Sequence, residues 1–369
     1  MERNVLLISV FITLGAVAFL SGYLLMSETR QNFAKQNLGG QAGLLTDRFS
    51  NKVEAGLSED SAPNTLPLSS RKFTTFVQPF TDSKKIVAVA SNGNIVEINT
   101  ADLTEKVVYA DQTSVVEATL SPAGNAVIFS FYGTANDKKW VYYNMKTRKS
   151  SKIEGDLKSA AFSPDGSQTV YLVNNDNEGE LLIAKDGKII KRALKTRIGA
   201  ATVSWPSENI ISIISYDKDG SGDLFVLSLD SALNKVLSYQ HNLEVKWSPV
   251  GEKIIFSTKD AAVPTQLFYK DIKNSGAITA LGVDTNASKC VWTNEENIIC
   301  GITDKAQVKD GFYKINLIDG SKTLAATKSD LVATPDINLL VKEMSINRSG
   351  DTLFVLNDID SKLYVLKIK

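Results

Sequence analysis

Seven times between residues 80 and 346 the chain runs through the same short pattern: a β-favouring run that ends in a bulky side chain, a polar turn, then a second β-favouring run. The copies are anchored at Phe80 (PFTDSKKIVAVA), Leu120 (TLSPAGNAVIFS), Phe162 (AFSPDGSQTVYL), Trp205 (SWPSENIISIIS), Trp247 (KWSPVGEKIIFS), Trp292 (VWTNEENIICGI) and Ile346 (SINRSGDTLFVL). Successive anchors stand 40, 42, 43, 42, 45 and 54 residues apart. In the clearest copy, Ser163-Pro164-Asp165-Gly166, proline presets φ, the aspartate bonds back to its own backbone and glycine accepts positive φ. The run after it, SQTVYLV, is rich in β-branched and aromatic residues. A period near 42 residues is the mark of a propeller with one four-stranded blade per repeat. The expected fold is therefore all-β, a seven-bladed β-propeller of four-stranded antiparallel blades.

Single units can be divided into strands. Unit four reads as an inner strand AATVSW, then NIISIISY, GDLFVLSL and an outer strand NKVLSY. The last unit stops one strand short, so its outer strand is expected from the N-terminal side, at Thr65 to Ser70, where Pro67 is tolerable on an edge. The propeller then spans 65–369. The 54-residue last interval implies an insertion around Ser329 to Asn338.

On these units, and on the motif FSPDG at Phe162 to Gly166 with third strands such as LFVL and LFYKD, the chain resembles the TolB-type and WD-repeat-like β-propellers of bacterial envelopes. The turns LSPAG and WSPVG come close to the motif, whereas FTDSK, WPSEN, WTNEE and INRSG depart from it. The resemblance implies the architecture and, for function, protein interaction in the envelope.

Ahead of the repeats, Val5 to Met26 is a run of 22 residues without a charge. At about 1.5 Å per residue it matches a hydrocarbon core of roughly 30 Å. A cleaved signal peptide is the alternative, with AVA at Ala16 to Ala18 as its cleavage site. The apolar run continues beyond Ala18, and Arg3 is the only basic side chain ahead of it, so the expectation is an uncleaved transmembrane helix within residues 1–26. Residues 27–64 read as a polar tether. Arg3 on one side and Arg30 and Lys35 on the other leave the charge rule nearly silent. Long domains translocate largely regardless of charge, so the propeller is placed on the extracytoplasmic side of a single-pass anchor.

Composition narrows the chemistry. Forty-one basic and 41 acidic residues cancel, which argues against a nucleic-acid partner. The single histidine, His241, leaves His-based catalysis and multi-His metal sites without their residues. It reads as a loop residue opening unit five. No G-x-S-x-G elbow, phosphate loop or C-x-x-C pair occurs.

Two constellations remain. YDKDGSGD places Asp217, Asp219, Ser221 and Asp223 in the first half of a calcium loop, with oxygen ligands on alternate residues and a glycine at the sharp turn. Ser228 stands where the bidentate glutamate belongs, so an ordinary solvated hairpin turn is the alternative; no other cofactor is expected. Cys290 and Cys300 face each other if Trp292 faces Ile298, which permits a cross-strand disulfide. A one-residue slip would instead leave two buried small side chains.

Trp205, Trp247 and Trp292 share one repeat position and read as packing between blades. Glu117, Glu244 and Glu343 lie on inner strands of separate blades, without a dense cluster. The expectation is thus a non-enzyme: a membrane-anchored scaffold that binds protein partners through the loops after each second strand. A cell-wall carbohydrate-binding module using Tyr132 and Tyr216 is the alternative, followed by a calcium-dependent propeller hydrolase.

Overall fold

In the computed structural model the chain divides into two compact units, 1–62 and 63–369. The structure describes residues 65–368 except 111–114, 134–137, 176–177, 199–200, 230–231, 260–264, 275, 305–308 and 327–337. The apolar segment 5–26, the tether and most of the insertion lie outside them. Among the described residues no helix is long and apolar enough to cross a membrane.

The described chain is a ring of seven four-stranded antiparallel sheets. Six are built from four consecutive strands. The seventh takes Val341–Ile346, Thr352–Asn357 and Leu363–Lys367 and is completed by Thr65–Pro67 from the other end of the propeller. That clasp pairs Thr65 with Leu366, Leu66 with Val365 and Pro67 with Tyr364. Leu68 N–H adds a bond to Leu363 O at 2.8 Å, and the Leu68 side chain is buried. Pro67 lies on the outer edge, where its missing N–H breaks no ladder.

Alternation along the strands explains the ring. The second strand of blade one, Lys85–Ala90, is buried on both faces. Ile86 and Ala88 pack toward Phe354 and Leu356 of blade seven, while Val87 and Val89 pack toward Val127 and Phe129 of blade two. A blade is thus apolar on two faces and cannot fold alone. Seven apolar clusters, each shared by two adjacent blades, fill the seven interfaces. Trp205 and Trp292 are buried in two of them, and Trp247 packs against a third.

The repeated turn has a second role. Gly124, Gly166 and Gly251 all have positive φ, and each abuts the turn of the preceding blade. A Cβ on Gly166 would lie 2.3 Å from Ser121 Oγ and 3.0 Å from Ala123 Cβ; on Gly124 it would lie 2.4 Å from Pro79 Cγ. Gly166→Ala is therefore expected to lower stability by about 2–3 kcal/mol, from left-handed strain and overpacking together, as read from the urea midpoint.

In blade one the anchor is Val77, which faces Val87 as Leu120 faces Val127. Phe80, the expected anchor, is 53% exposed in a longer turn, where its N–H bonds Pro122 O of the next blade at 3.1 Å. The turn, residues 78–84, has no glycine; Pro79 stands two places after Val77 as Pro122 stands two places after Leu120, and the ring uses Pro79 as the seat for Gly124.

Candidate functional site

Inner strands surround the axis, and their register sets which side chains share a depth. Counting back from the anchors, Glu117, Ser159, Thr202, Glu244 and Glu343 occupy one layer, and Thr119, Ser204, Lys246 and Ser345 the layer two residues further on. Near the start of three inner strands the ladder slips by one residue, at Thr74, at Lys158 and at Lys342; a fourth slip, between Ser204 and Ser207, lies at the end of its strand. Such slips re-aim side chains and recur beside functional sites. All three residues line one cavity of about 700 Å³ at the start of the inner strands. Hydroxyls of Thr75, Thr119, Ser159, Thr202 and Ser204 supply most of the remaining polar wall, with Glu117 and Trp140 at blade two. Second strands end opposite the start of inner strands, as Ser130 faces Glu117, so the cavity opens on the face that carries the second-to-third-strand connections.

The charges at this mouth are mostly paired. Lys138 bonds Glu117 at 2.6 Å and lies 4.6 Å from the centre of the Trp140 ring. Lys158 bonds Asp156 at 2.7 Å. Lys342 is exposed and forms no ion pair with a described residue.

Deeper, Lys246 of blade five and Glu343 of blade seven feel each other's charge. Both are partly buried on their inner strands. Desolvation therefore pushes the Lys246 ammonium down and the Glu343 carboxyl up; in each case the partner's charge opposes the shift without cancelling it. Thr75 and the backbone at Phe76 also favour the charged form of Glu343. Glu244, whose charge also favours the Lys246 ammonium, accepts bonds from Asn286 Nδ2 at 2.9 Å and Ser288 N–H at 3.2 Å. An acid and a base displaced toward each other in a channel form a constellation of the kind active sites use.

The four residues of the calcium half-motif lie in the hairpin between the second and third strands of blade four. Asp219 accepts from Ser221 N–H at 2.9 Å and from Ser221 Oγ at 3.0 Å, and these bonds hold its carboxyl below the usual range. Asp223 points elsewhere, to Lys235 and to Tyr239 N–H on the outer strand. Asp217 closes the turn through its backbone. Among the described residues no three His, Cys, Asp or Glu side chains come together as a metal would require. His241 ends the outer strand Leu233–His241, with Nδ1 3.3 Å from Ser221 Oγ. That hydroxyl also bonds Asp219, so the carboxylate holds the serine and not the imidazole. The order differs from a catalytic triad, in which the acid orients the histidine.

Cys290 and Cys300 are directly opposite on neighbouring strands, Cα atoms 4.0 Å apart, and are joined as a disulfide. Both lie in the cluster between blades five and six. Replacing both by alanine is expected to cost roughly 2–3 kcal/mol, since the bridge closes a short loop, with unchanged ring architecture by circular dichroism.

Among solved structures, the fold is similar to an oligogalacturonate lyase in complex with manganese, with TM-score 0.60 and 10% identity over 85% of this chain and 95% of that one. An oligogalacturonate lyase from Vibrio parahaemolyticus gives TM-score 0.58 and 11% identity over 85% and 96%. The β-propeller domain of the Trilobed protease from Pyrococcus furiosus, described as having an open velcro topology, gives 0.56 and 12% over 81% and 94%. TolB from Acinetobacter baumannii aligns over 63% of this chain and 59% of its own, with 13% identity and TM-score 0.43, too low to carry an argument. No family model and no curated protein matches the chain. At these identities the likeness is one of fold, and the TolB-type resemblance is borne out as a seven-bladed propeller and no further.

The expectation of a non-enzyme is corrected by the two lyases, because rings of this shape carry catalysis in them. That expectation rested on missing histidine and nucleophile motifs. Burial can instead make a lysine or glutamate into an acid or base, and it displaces Lys246 downward and Glu343 upward, the directions such a role requires. The lyase named with manganese has no counterpart in a three-ligand cluster among the described residues here, so no step is derived through a metal.

Proposed function

We propose that this chain is a recognition propeller of the cell envelope, carried on an anchor at residues 5–26 with the ring on the extracytoplasmic side, and that a partner protein docks on the face where the channel opens. The observation that supports this reading is the contrast between frame and rim. The seven interfaces repeat one apolar scheme, while the segments that join second to third strands differ in every blade: YGTANDKK, NNDNEGE, DKDGSG, KDAAVPT and DKAQVKD. Variable segments on a rigid frame are where binding residues concentrate. The 22-residue uncharged run supports the anchor.

Crosslinking of the tagged full-length protein in intact cells, followed by membrane solubilisation and mass spectrometry, tests it. The expected result is a reproducible protein partner joined through lysines of that face, such as Lys139 or Lys259. A chain recovered in the soluble fraction, or partners joined only through the opposite face, would sink the reading.

A further inference from the structure

We infer that the face of the ring opposite the channel mouth docks on an anionic lipid bilayer, chiefly through the outer strand of blade three, Lys188–Thr196. The inference rests on the membrane anchor proposed above and adds the side of the ring that meets the lipid. The ladders fix that side. In blade seven Ile346 faces Leu353, Leu353 faces Leu366 and Leu366 faces Thr65, so the chain enters the ring at the end of the blade that carries the repeated turn. In blade three Phe162 faces Thr169, Thr169 faces Ala184 and Ala184 faces Ile189, so the hairpin at Lys185 and Lys188 lies at that end too. Repeated turns of adjacent blades touch through Gly124, Gly166 and Gly251, which keeps them on one face. A tether as long as residues 27–64 would not orient the ring, so a fixed orientation has to come from contacts of the face itself.

Charge points to the occupant. The chain as a whole is neutral, yet residues 185–197 hold six basic side chains and one acid, Asp186. All six basic residues are exposed. Arg192 and Lys195 are matched by Glu180 and Glu178, at 3.3 and 2.5 Å, and Asp186 accepts from Tyr142 O–H and Asn144 Nδ2 of blade two. Lys188 and Lys191 form no ion pair with a described residue, and between them stand Ile189 and Ile190, 58% and 57% exposed. Lysine on a free edge guards it against pairing with another strand, but two adjacent exposed isoleucines work against that purpose. Apolar side chains flanked by lysines suit the boundary of an anionic bilayer: the isoleucines enter the headgroup layer and the ammonium groups meet lipid phosphates.

Two further features favour a bilayer over an acidic peptide or a second copy of the chain. The ladder of this outer strand slips at Ile190 and at Ala193, which breaks the straight edge that an added strand would need. Exposed apolar side chains also recur at other turns of the same face: Phe80 in blade one, Val250 in blade five, and Ile318, 73% exposed, between the third and outer strands of blade six. Singly each is ordinary surface. Spread round one face of a ring, they fit a flat apolar boundary better than a compact partner.

The test uses the full chain in nanodiscs of phosphatidylcholine, alone or in equal parts with phosphatidylglycerol. An Ile190→Cys variant carries an apolar, environment-sensitive fluorophore, the two native cysteines being closed in their disulfide. Tyr132→Cys, exposed at the end of a second strand on the channel-mouth face, is the labelled control. Nitroxide lipid is expected to quench the Ile190→Cys label at least about threefold more strongly than the Tyr132→Cys label, and only where phosphatidylglycerol is present. Lys188→Glu with Lys191→Glu should bring the two labels level, at an unchanged melting temperature because both lysines are exposed. Equal quenching of both labels in a chain that has entered the disc would overturn the inference and leave the anchor standing. Quenching indifferent to phosphatidylglycerol and to the charge reversal would do the same. A blue shift of the Ile190→Cys label without lipid quenching would mean that another protein covers the strand, and would overturn it too. A chain that fails to enter the discs would sink the anchor and the inference with it.

Discussion

Replacing Asp310 by alanine is expected to cost the ring about 3–5 kcal/mol, the largest single effect anticipated here. Its side chain is 0% exposed, against 21% for its partner Lys289, whose ammonium bonds both carboxylate oxygens at 3.1 and 3.2 Å. Thr303 Oγ1 adds a bond at 2.6 Å, and Val341 N–H, from the inner strand of blade seven, another at 2.7 Å. Asp310 thus ties the third strand of blade six to the next blade. Its loss strands a lysine and a backbone N–H in a dry setting, and the second penalty persists even if Lys289 is replaced as well. Urea unfolding reads the result directly. A loss under about 1 kcal/mol would mean that the pair is as weak as an exposed one.

The second large effect concerns Lys246 and Glu343. Lys246→Met removes the countercharge from a carboxylate that burial already disfavours, and a loss of about 3 kcal/mol is expected near neutral pH. The sign of the pH dependence follows from the direction of each shift. The Glu343 carboxyl is raised above its ordinary 4.5, so its contribution is complete below that value and is lost as pH rises through the folded pKa. The Lys246 ammonium is lowered below its ordinary 10.5, so its contribution is complete above that value and is lost as pH falls through its folded pKa. The Lys246→Met variant should therefore recover stability on acidification from about pH 7 to about pH 5, until other carboxylates titrate. The double variant Lys246→Met with Glu343→Gln should be at least as stable as the parent, because two desolvation costs leave with one attraction. Melts of the two variants at both pH values check this. A single variant whose deficit grows on acidification would show that Glu343 is not the stranded group.

The ring was legible because its turn chemistry recurs and its strands alternate between two neighbours, both local properties. Phe80 misled because the turn of blade one is three residues longer than that of blade two and has no glycine, and only the ladder shows Val77 in the anchor place. The candidate site was legible in part. Glu117, Glu244 and Glu343 are visible as inner-strand carboxylates, and the ladders place them at one depth. Lys246 went unread because the two strands that face each other are almost a hundred residues apart. The slips at Thr74, Lys158 and Lys342 carry no glycine or other mark, so the way those side chains turn toward the cavity was hidden. Ser221 and His241 lie 20 residues apart on strands whose pairing shifts twice, which defeats counting.

The clasp has a mechanical meaning. Tension arriving through the residues that precede the propeller reaches Thr65–Pro67 before any other strand, and that strand is held by three facing pairs and the bond from Leu68. The other six sheets are hairpin-linked along a continuous chain, so none of them lies on the load path until the clasp has parted. A pulled ring should therefore fail first at its own seam and open like a collar, the blades peeling one after another from a single known point.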